Sequence, residues 1–97
     1  MNPVIYHPAA EDELREAALF YESRSAGLGA VFMSEVEDSV RRIQEAPETF
    51  PRHRGRLRRK LVANFPFGIL YRADSDAVRI LAVMHLHRRP GYWRRRL

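Results

Sequence analysis

Two histidines that could do acid–base chemistry stand two positions apart near the end of the sequence, at His85 and His87. Histidine titrates near neutral pH, so the pair could serve as a general acid and a general base. Cleavage of RNA also needs cations for the developing phosphorane charge, and Arg59, Arg88 and Tyr92 could complete such a set. Alternatively, both histidines are polar side chains at the end of a central strand, and the sequence leaves the two interpretations open.

Metal chemistry is not indicated by this pattern. Two histidines are too few ligands for zinc, and no neighbouring Cys, Asp or Glu completes a site. The chain has no cysteine at all, which excludes disulfides and thiolate chemistry and fits a cytoplasmic protein. We therefore expect neither a metal nor a cofactor.

Positive charge is concentrated in the second half of the chain. Residues 1–48 carry ten acidic and four basic side chains (net −6), whereas residues 49–97 carry two acidic and thirteen basic ones (net +11). So basic a half indicates a surface that meets an anion, such as nucleic acid, an acidic protein or a charged peptide. The basic patch, which either binds phosphates or stays solvated, comprises Arg56, Arg58, Arg59, Lys60 and Arg72, with Arg52 and Arg54 nearby.

The most distinctive local stretch is Pro90-Gly91-Tyr92-Trp93, which three arginines follow. Trp and Arg are frequent binding anchors, because an indole offers a large apolar surface and a guanidinium offers a planar set of donors. Trp93, the only tryptophan, is therefore either an exposed binding anchor or a lid that folds back on the edge of a sheet.

Apolar segments predict the sheet that carries these side chains. Residues 67–72 and 78–86 predict a hairpin whose turn is Asp74-Ser75-Asp76, since Asp and Ser side chains favour chain reversal. The second strand is apolar on both alternating faces, which is typical of the interior of a sheet. One face is expected to hold Val78, Ile80, Ala82, Met84 and Leu86, and the other Leu81, Val83, His85 and His87. Residues 4–7 and 56–62 predict two further strands, and residues 48–55, which include Pro51, predict a loop.

Two amphipathic helices are predicted between the first and second strands. The first begins at Pro8, which suits a first helical turn, and Glu11, Asp12 and Glu13 lie in that turn, where the helix dipole favours negative charge. The second spans residues 28–46 and ends before Pro47. Because neither helix can bury its apolar stripe alone, they should form an antiparallel hairpin on one face of the sheet. The arginine-rich face that remains open would then be where another macromolecule docks.

The predicted fold is α+β, in the order β-α-α-β-β-β, with a mostly antiparallel four-stranded sheet in one domain over residues 1–97. Apolar residues at 45% and charged residues at 30% fit a soluble globular protein. No apolar run of about 18 residues predicts a membrane span, and no basic-then-apolar segment predicts export.

Three segments follow one another along nearly the whole chain: HPAAEDELREAALFYES, LGAVFMSEVEDSVRRIQEAPETFP and RRKLVANFPFGILYRADSDAVRILAVMHLHRRPGYW. Their order resembles the RelE/ParE toxin superfamily of type II toxin–antitoxin systems. The resemblance implies a toxin that its cognate antitoxin neutralises in a hetero-oligomer, by wrapping a chain segment around it.

The two branches of this superfamily have different targets. RelE-like members cut messenger RNA in the ribosome and typically carry an arginine where this chain has Gly68, and Arg88 and Tyr92 match their C-terminal pattern only loosely. The ParE-like branch, known for poisoning DNA gyrase, is therefore favoured, and it implies an inhibitor without a catalytic site of its own. Target binding is then expected at Arg88, Arg89, Tyr92 and Trp93, and antitoxin binding at the basic patch. A degenerate member that only binds its antitoxin is a further alternative.

Overall fold

The computed structural model describes all residues from Met1 to Leu97. Its elements are β1 (Val4–Tyr6), α1 (Pro8–Arg24), α2 (Leu28–Glu45), β2 (Arg52–Arg54), β3 (Leu57–Leu61), β4 (Phe67–Ala73), β5 (Val78–His85) and a 3-10 turn (Arg94–Arg96). The strands form one sheet in the order β1-β5-β4-β3-β2, in which only the β1–β5 pair is parallel. The α+β class, the mostly antiparallel sheet and the interior position of β5 are confirmed.

The sheet has one strand more than the four that the sequence predicted. Residues 48–55 were expected to form a loop, but Arg52 pairs with Arg58 and Arg54 pairs with Leu57 across the β2–β3 hairpin. Gly55, with a φ of +55°, makes the turn that brings β2 back against β3. The prediction failed because every β2 residue is exposed, so no alternation of apolar residues marks the strand.

The two helices form the predicted hairpin. The His7 ring nitrogen Nδ1 accepts a hydrogen bond from the Ala9 amide and caps α1, and Pro8 occupies the first turn. Glu22 of α1 accepts hydrogen bonds from the amides of Gly27 and Gly29, so one helix caps the start of the other. Neither helix is long and apolar enough to pass through a bilayer.

The helical hairpin covers one face of the sheet and buries the larger of two apolar clusters. Phe32, Val36 and Ile43 of α2 pack there against the strands and are fully buried. Tyr71 of β4 extends beneath them, and its hydroxyl donates a hydrogen bond to the Pro47 carbonyl at 2.5 Å. Burial raises the pKa of Tyr71 to about 12, so its hydroxyl stays protonated at neutral pH.

A β-bulge changes which side chains of β5 face the helices. Leu70 pairs with Ala82 and Tyr71 pairs with Ile80, so Leu81 is an extra residue without a partner on β4. The strict alternation that the sequence predicted is therefore wrong beyond Ile80. Val78, Ile80 and Val83 belong to the helix-side cluster, whereas Leu81, Ala82 and Met84 belong to a second cluster on the opposite face.

Candidate functional site

The C-terminal segment, residues 86–97, covers part of the sheet face that the helices leave free. Trp93 is only 2% exposed and packs in the second apolar cluster with Leu57, Leu70, Leu81 and other residues of that face. Of the two placements that the sequence left open, the lid on the sheet is therefore confirmed. Trp93 is not the exposed anchor expected at a target-binding surface, because its indole completes the core of this face.

A buried carboxylate on α1 holds the C-terminal segment in place. The Glu13 carboxylate accepts hydrogen bonds from the Tyr92 hydroxyl (2.6 Å), from the Val83 amide (3.1 Å) and from two nitrogens of Arg96 (2.8 and 3.0 Å). The side chains of Glu13 and Arg96 are only 13% and 15% exposed, so this ion pair is largely shielded from water. Sequence reasoning gave Glu13 only a local role in the first turn of a helix.

The same residues protect an edge of the sheet. β1 pairs with β5 only at Val78, Arg79 and Ile80. Beyond the bulge, the Val83 amide donates to Glu13, and the Leu81 carbonyl accepts a hydrogen bond from Arg96 at 3.0 Å. Two charged side chains therefore satisfy backbone groups that would otherwise pair with a strand or with water.

Tyr92 connects this buried network to the surface. Burial first, and then the hydrogen bond and charge of Glu13, raise the pKa of the Tyr92 hydroxyl, so it acts as a donor and not as a base. The Arg88 guanidinium lies 3.9 Å from the centroid of the Tyr92 ring, a cation–π contact. Arg88 and Arg89 are exposed and have no carboxylate within ion-pair distance, so their charges face solvent.

The histidines do not form the pair on a strand that the sequence predicted. His85 is the last residue of β5, whereas His87 lies in the turn that follows. The two rings are 5.2 Å apart, and Nδ1 of His85 accepts a hydrogen bond from the His87 amide. His85 also packs edge-on against Phe67 at 5.2 Å, which places it on the side of the sheet that the helices cover.

The residues proposed for RNA cleavage do not converge. Arg59 pairs across the sheet with Leu70, so it faces the side opposite His85. Its methylenes lie over Gly68, 3.0 and 3.1 Å from where a Cβ atom at Gly68 would stand. Tyr92 points its hydroxyl at Glu13 rather than at either histidine. The structure therefore separates Arg59, the two histidines and Tyr92, which would all have to lie together in a nuclease site.

The basic patch is divided between the two faces of the sheet. Arg58 and Lys60 pair with Tyr71 and Ile69, which places them on the helix side. There Arg58 donates to the Phe50 carbonyl at 2.9 Å, and the Lys60 ammonium lies 5.3 Å from the Phe50 ring centroid. Since Arg59 lies on the other face, the expectation of one open, arginine-covered face is wrong.

Arg56 and Arg72, the other members of the patch, bind the turn between β4 and β5. Asp74 forms ion pairs with both of them and with Arg79, at N–O distances of 3.0 to 3.3 Å. Burial alone would raise the pKa of Asp74, but the hydrogen bonds and charges of these arginines outweigh it and lower the pKa. Arg72 therefore has a structural partner in Asp74. The sequence did not indicate this ion pair, because it identified Asp74 only as a turn former.

Comparisons with known proteins place the chain in a family. The model described as "ParE toxin of type II toxin-antitoxin system, parDE" matches residues 4–90, which include both helices and all five strands. Among solved structures, the chromosomal ParDE TA system from P. aeruginosa has a similar fold, with a TM-score of 0.63 over 88% of this chain and 96% of that chain at 15% identity. No match was found among curated proteins.

Proposed function

Because the chain belongs to the ParE toxin family of type II toxin–antitoxin systems, we propose that it inhibits growth by poisoning DNA gyrase and is neutralised by a cognate antitoxin. The family match over residues 4–90 carries this proposal. The toxin acts in the cytoplasm by binding, without a catalytic site of its own. The separation of His85 from Arg59 on opposite faces of the sheet supports inhibition by binding over RNA cleavage.

The target-binding surface in this proposal is the exposed part of the C-terminal segment. Arg88 and Arg89 are exposed cations without acidic partners in the chain, and Tyr92 supports Arg88 from below. Glu13 fixes Tyr92, and the burial of Trp93 fixes the following turn. The two guanidinium groups are thus presented on a rigid base, which lowers the entropic cost of binding a target.

Gyrase assays with the purified chain test this proposal. The wild-type chain should inhibit supercoiling and trap cleaved DNA. Replacing Arg88 and Arg89 with Ala should raise the inhibitory concentration roughly ten-fold or more, since an arginine hot spot contributes about 1.4 kcal/mol or more. The matched control, Arg41→Ala with Arg42→Ala on α2, removes the same charge from surface pairs with Asp38 and should leave inhibition unchanged.

Failure of the wild-type chain to affect supercoiling or to trap cleaved DNA over a wide concentration range would refute the gyrase target. Equal inhibition by the wild-type chain and the Arg88/Arg89 variant would instead remove these two residues from the contact surface. Primer extension on translated messages provides the complementary test, since codon-positioned cuts would replace gyrase poisoning with ribosome-dependent RNA cleavage.

The proposed antitoxin has two surfaces available to it. Exposed apolar side chains lie on the helical hairpin, among them Leu19, Phe20 and Val31, and the basic half of the chain would attract an acidic segment. A partner at 100 times its dissociation constant stabilises the folded toxin by about 2.7 kcal/mol, or roughly 10–20 °C in melting temperature for a chain of this size. An unchanged melting temperature at a saturating concentration of the protein encoded beside the toxin would contradict the pairing.

A further inference from the structure

The β2–β3 hairpin carries the densest group of cations in the chain. Six Arg or Lys residues and one His lie between positions 52 and 60. Only Arg56 among them has a carboxylate within ion-pair distance, namely that of Asp74. The chain's own acidic residues therefore leave five positive charges of this hairpin unneutralised: Arg52, Arg54, Arg58, Arg59 and Lys60.

These five cations form two rows, one on each face of the hairpin. Arg52 pairs with Arg58, and both lie with Lys60 on the side where the helices pack. Arg54 pairs with Leu57 and lies with Arg59 on the opposite side. Because β2 is the edge strand of the sheet, Arg52 and Arg54 lie exposed at the border of the molecule. Arg58, Arg59 and Lys60 lie one strand further in and are half-buried.

His53, also on β2, lies close to two of these cations, Arg59 and Arg54. Burial first, and then the charges of Arg59 and Arg54, lower the pKa of His53, so its ring is neutral at pH 7. The neighbouring aromatic side chains are not available for stacking with bases. Trp93, 6.0 Å from the His53 ring, is buried, and Lys60 lies over the ring of Phe50.

We propose that the β2–β3 hairpin binds double-stranded DNA by entering the major groove with one row of cations toward each phosphate backbone. A two-stranded ribbon fits the major groove of B-form DNA, whereas the major groove of an RNA duplex is too narrow. Single strands are bound mainly by several exposed aromatic side chains, and this hairpin offers only the ring of His53. An acidic protein surface would meet only one of the two rows.

This DNA contact is separate from the proposed binding of gyrase, which uses the C-terminal segment. The test is fluorescence anisotropy of a labelled duplex of about 20 base pairs with the full chain, over salt concentrations from about 50 to 300 mM. With five phosphates neutralised, the plot of log affinity against log salt should have a slope of about −4.5.

Matched double variants identify the residues responsible. Arg52→Gln with Arg54→Gln should make the slope shallower by about 1.8 and weaken binding roughly 60-fold at 0.1 M salt, since each lost contact costs about 0.9 log units per decade of salt. Both side chains are exposed, so the fold should persist. Arg15→Gln with Arg41→Gln removes the same net charge from the helical hairpin and should leave the slope unchanged.

Three results would overturn the proposal. The two double variants could lose the same affinity, which would mean attraction by net charge alone. A single strand of equal length could bind as tightly as the duplex, which would contradict the groove geometry. Polyglutamate could displace the duplex at equal charge concentration, which would identify an acidic polypeptide as the ligand. The Arg52/Arg54 variant should still inhibit gyrase, because the proposed gyrase contact uses the C-terminal segment. The gyrase assay therefore distinguishes a failure of the DNA-binding proposal from a failure of the proposed function.

Discussion

Replacement of Glu13 by Ala should strongly destabilise the protein, because this carboxylate on α1 holds the C-terminal segment against the sheet. The substitution leaves the Val83 amide and the Tyr92 hydroxyl without this acceptor, and it leaves Arg96 without its ion-pair partner. Arg96 remains a buried charge, since its side chain is only 15% exposed. The new Ala side chain does not itself destabilise α1, because Ala is the best helix former.

The magnitude follows from these contacts. Removing one partner of a buried ion pair costs about 3–5 kcal/mol, and we take the lower end because Arg96 keeps its hydrogen bond to the Leu81 carbonyl. A loss of about 3 kcal/mol would lower the melting temperature by roughly 12–24 °C in a domain of about 100 residues. The total stability of such a domain is only about 5–15 kcal/mol, so the variant would lose a large share of it.

Urea denaturation followed by tryptophan fluorescence measures this loss directly, because the only tryptophan, Trp93, lies in the segment that Glu13 holds. Glu16→Ala provides the control, since Glu16 is exposed on the same helix. Tyr92→Phe should cost less, about 1.5 kcal/mol, the lower end of the range for a hydrogen bond to a charged group. If Glu13→Ala costs no more than Glu16→Ala, the carboxylate does not hold the C-terminal segment, and our account of this network is wrong.

Three further predictions concern packing and pH. Trp93→Ala should cost about 3–5 kcal/mol in urea denaturation followed by circular dichroism, because the indole is buried; a loss below about 1 kcal/mol would contradict its place in the core. Gly29→Ala should cost about 1–3 kcal/mol, since its Cβ would lie 2.6 Å from a backbone oxygen of α1. Gly68→Ala should cost less than about 1 kcal/mol, because the new methyl meets only side chains, those of Arg59 and Leu86; equal losses would argue against the close helix contact. The folded-state pKa of Asp74 is lowered, so its stabilising contribution is present above about pH 4 and is lost as the pH falls below that value; Asp74→Asn should therefore flatten the fall in unfolding free energy between about pH 5 and pH 2, and an unchanged acid profile would refute this.

The sequence predicted the elements of the fold because each has a local signal. Pro8 marks the start of α1, the apolar stripes mark both helices, and β5 is apolar on both faces, as an interior strand should be. The bulge at Leu81 has no such signal, since it depends on how β4 aligns with β5. A single extra residue there exchanged the faces of every later side chain in the strand.

The candidate site was harder to predict, because its contacts join distant residues. Glu13 and Arg96 are 83 positions apart, and the helix dipole alone was a sufficient reason for an acidic residue in the first turn of α1. Similarly, Asp74 was explained by its turn, which concealed its three arginine partners. Long-range polar partners are missed when a local explanation already accounts for the residue type.

The contacts of Glu13 and Arg96 along β5 also limit how this sheet can grow. A strand from another molecule cannot add beside Leu81 and Val83 without first displacing both side chains, because their hydrogen bonds occupy the backbone groups it would need. At the far border, β2 is only three residues long and carries arginines, which discourages pairing of like edges. Both borders are therefore protected against self-assembly into extended sheets, a hazard for any small protein with an open sheet.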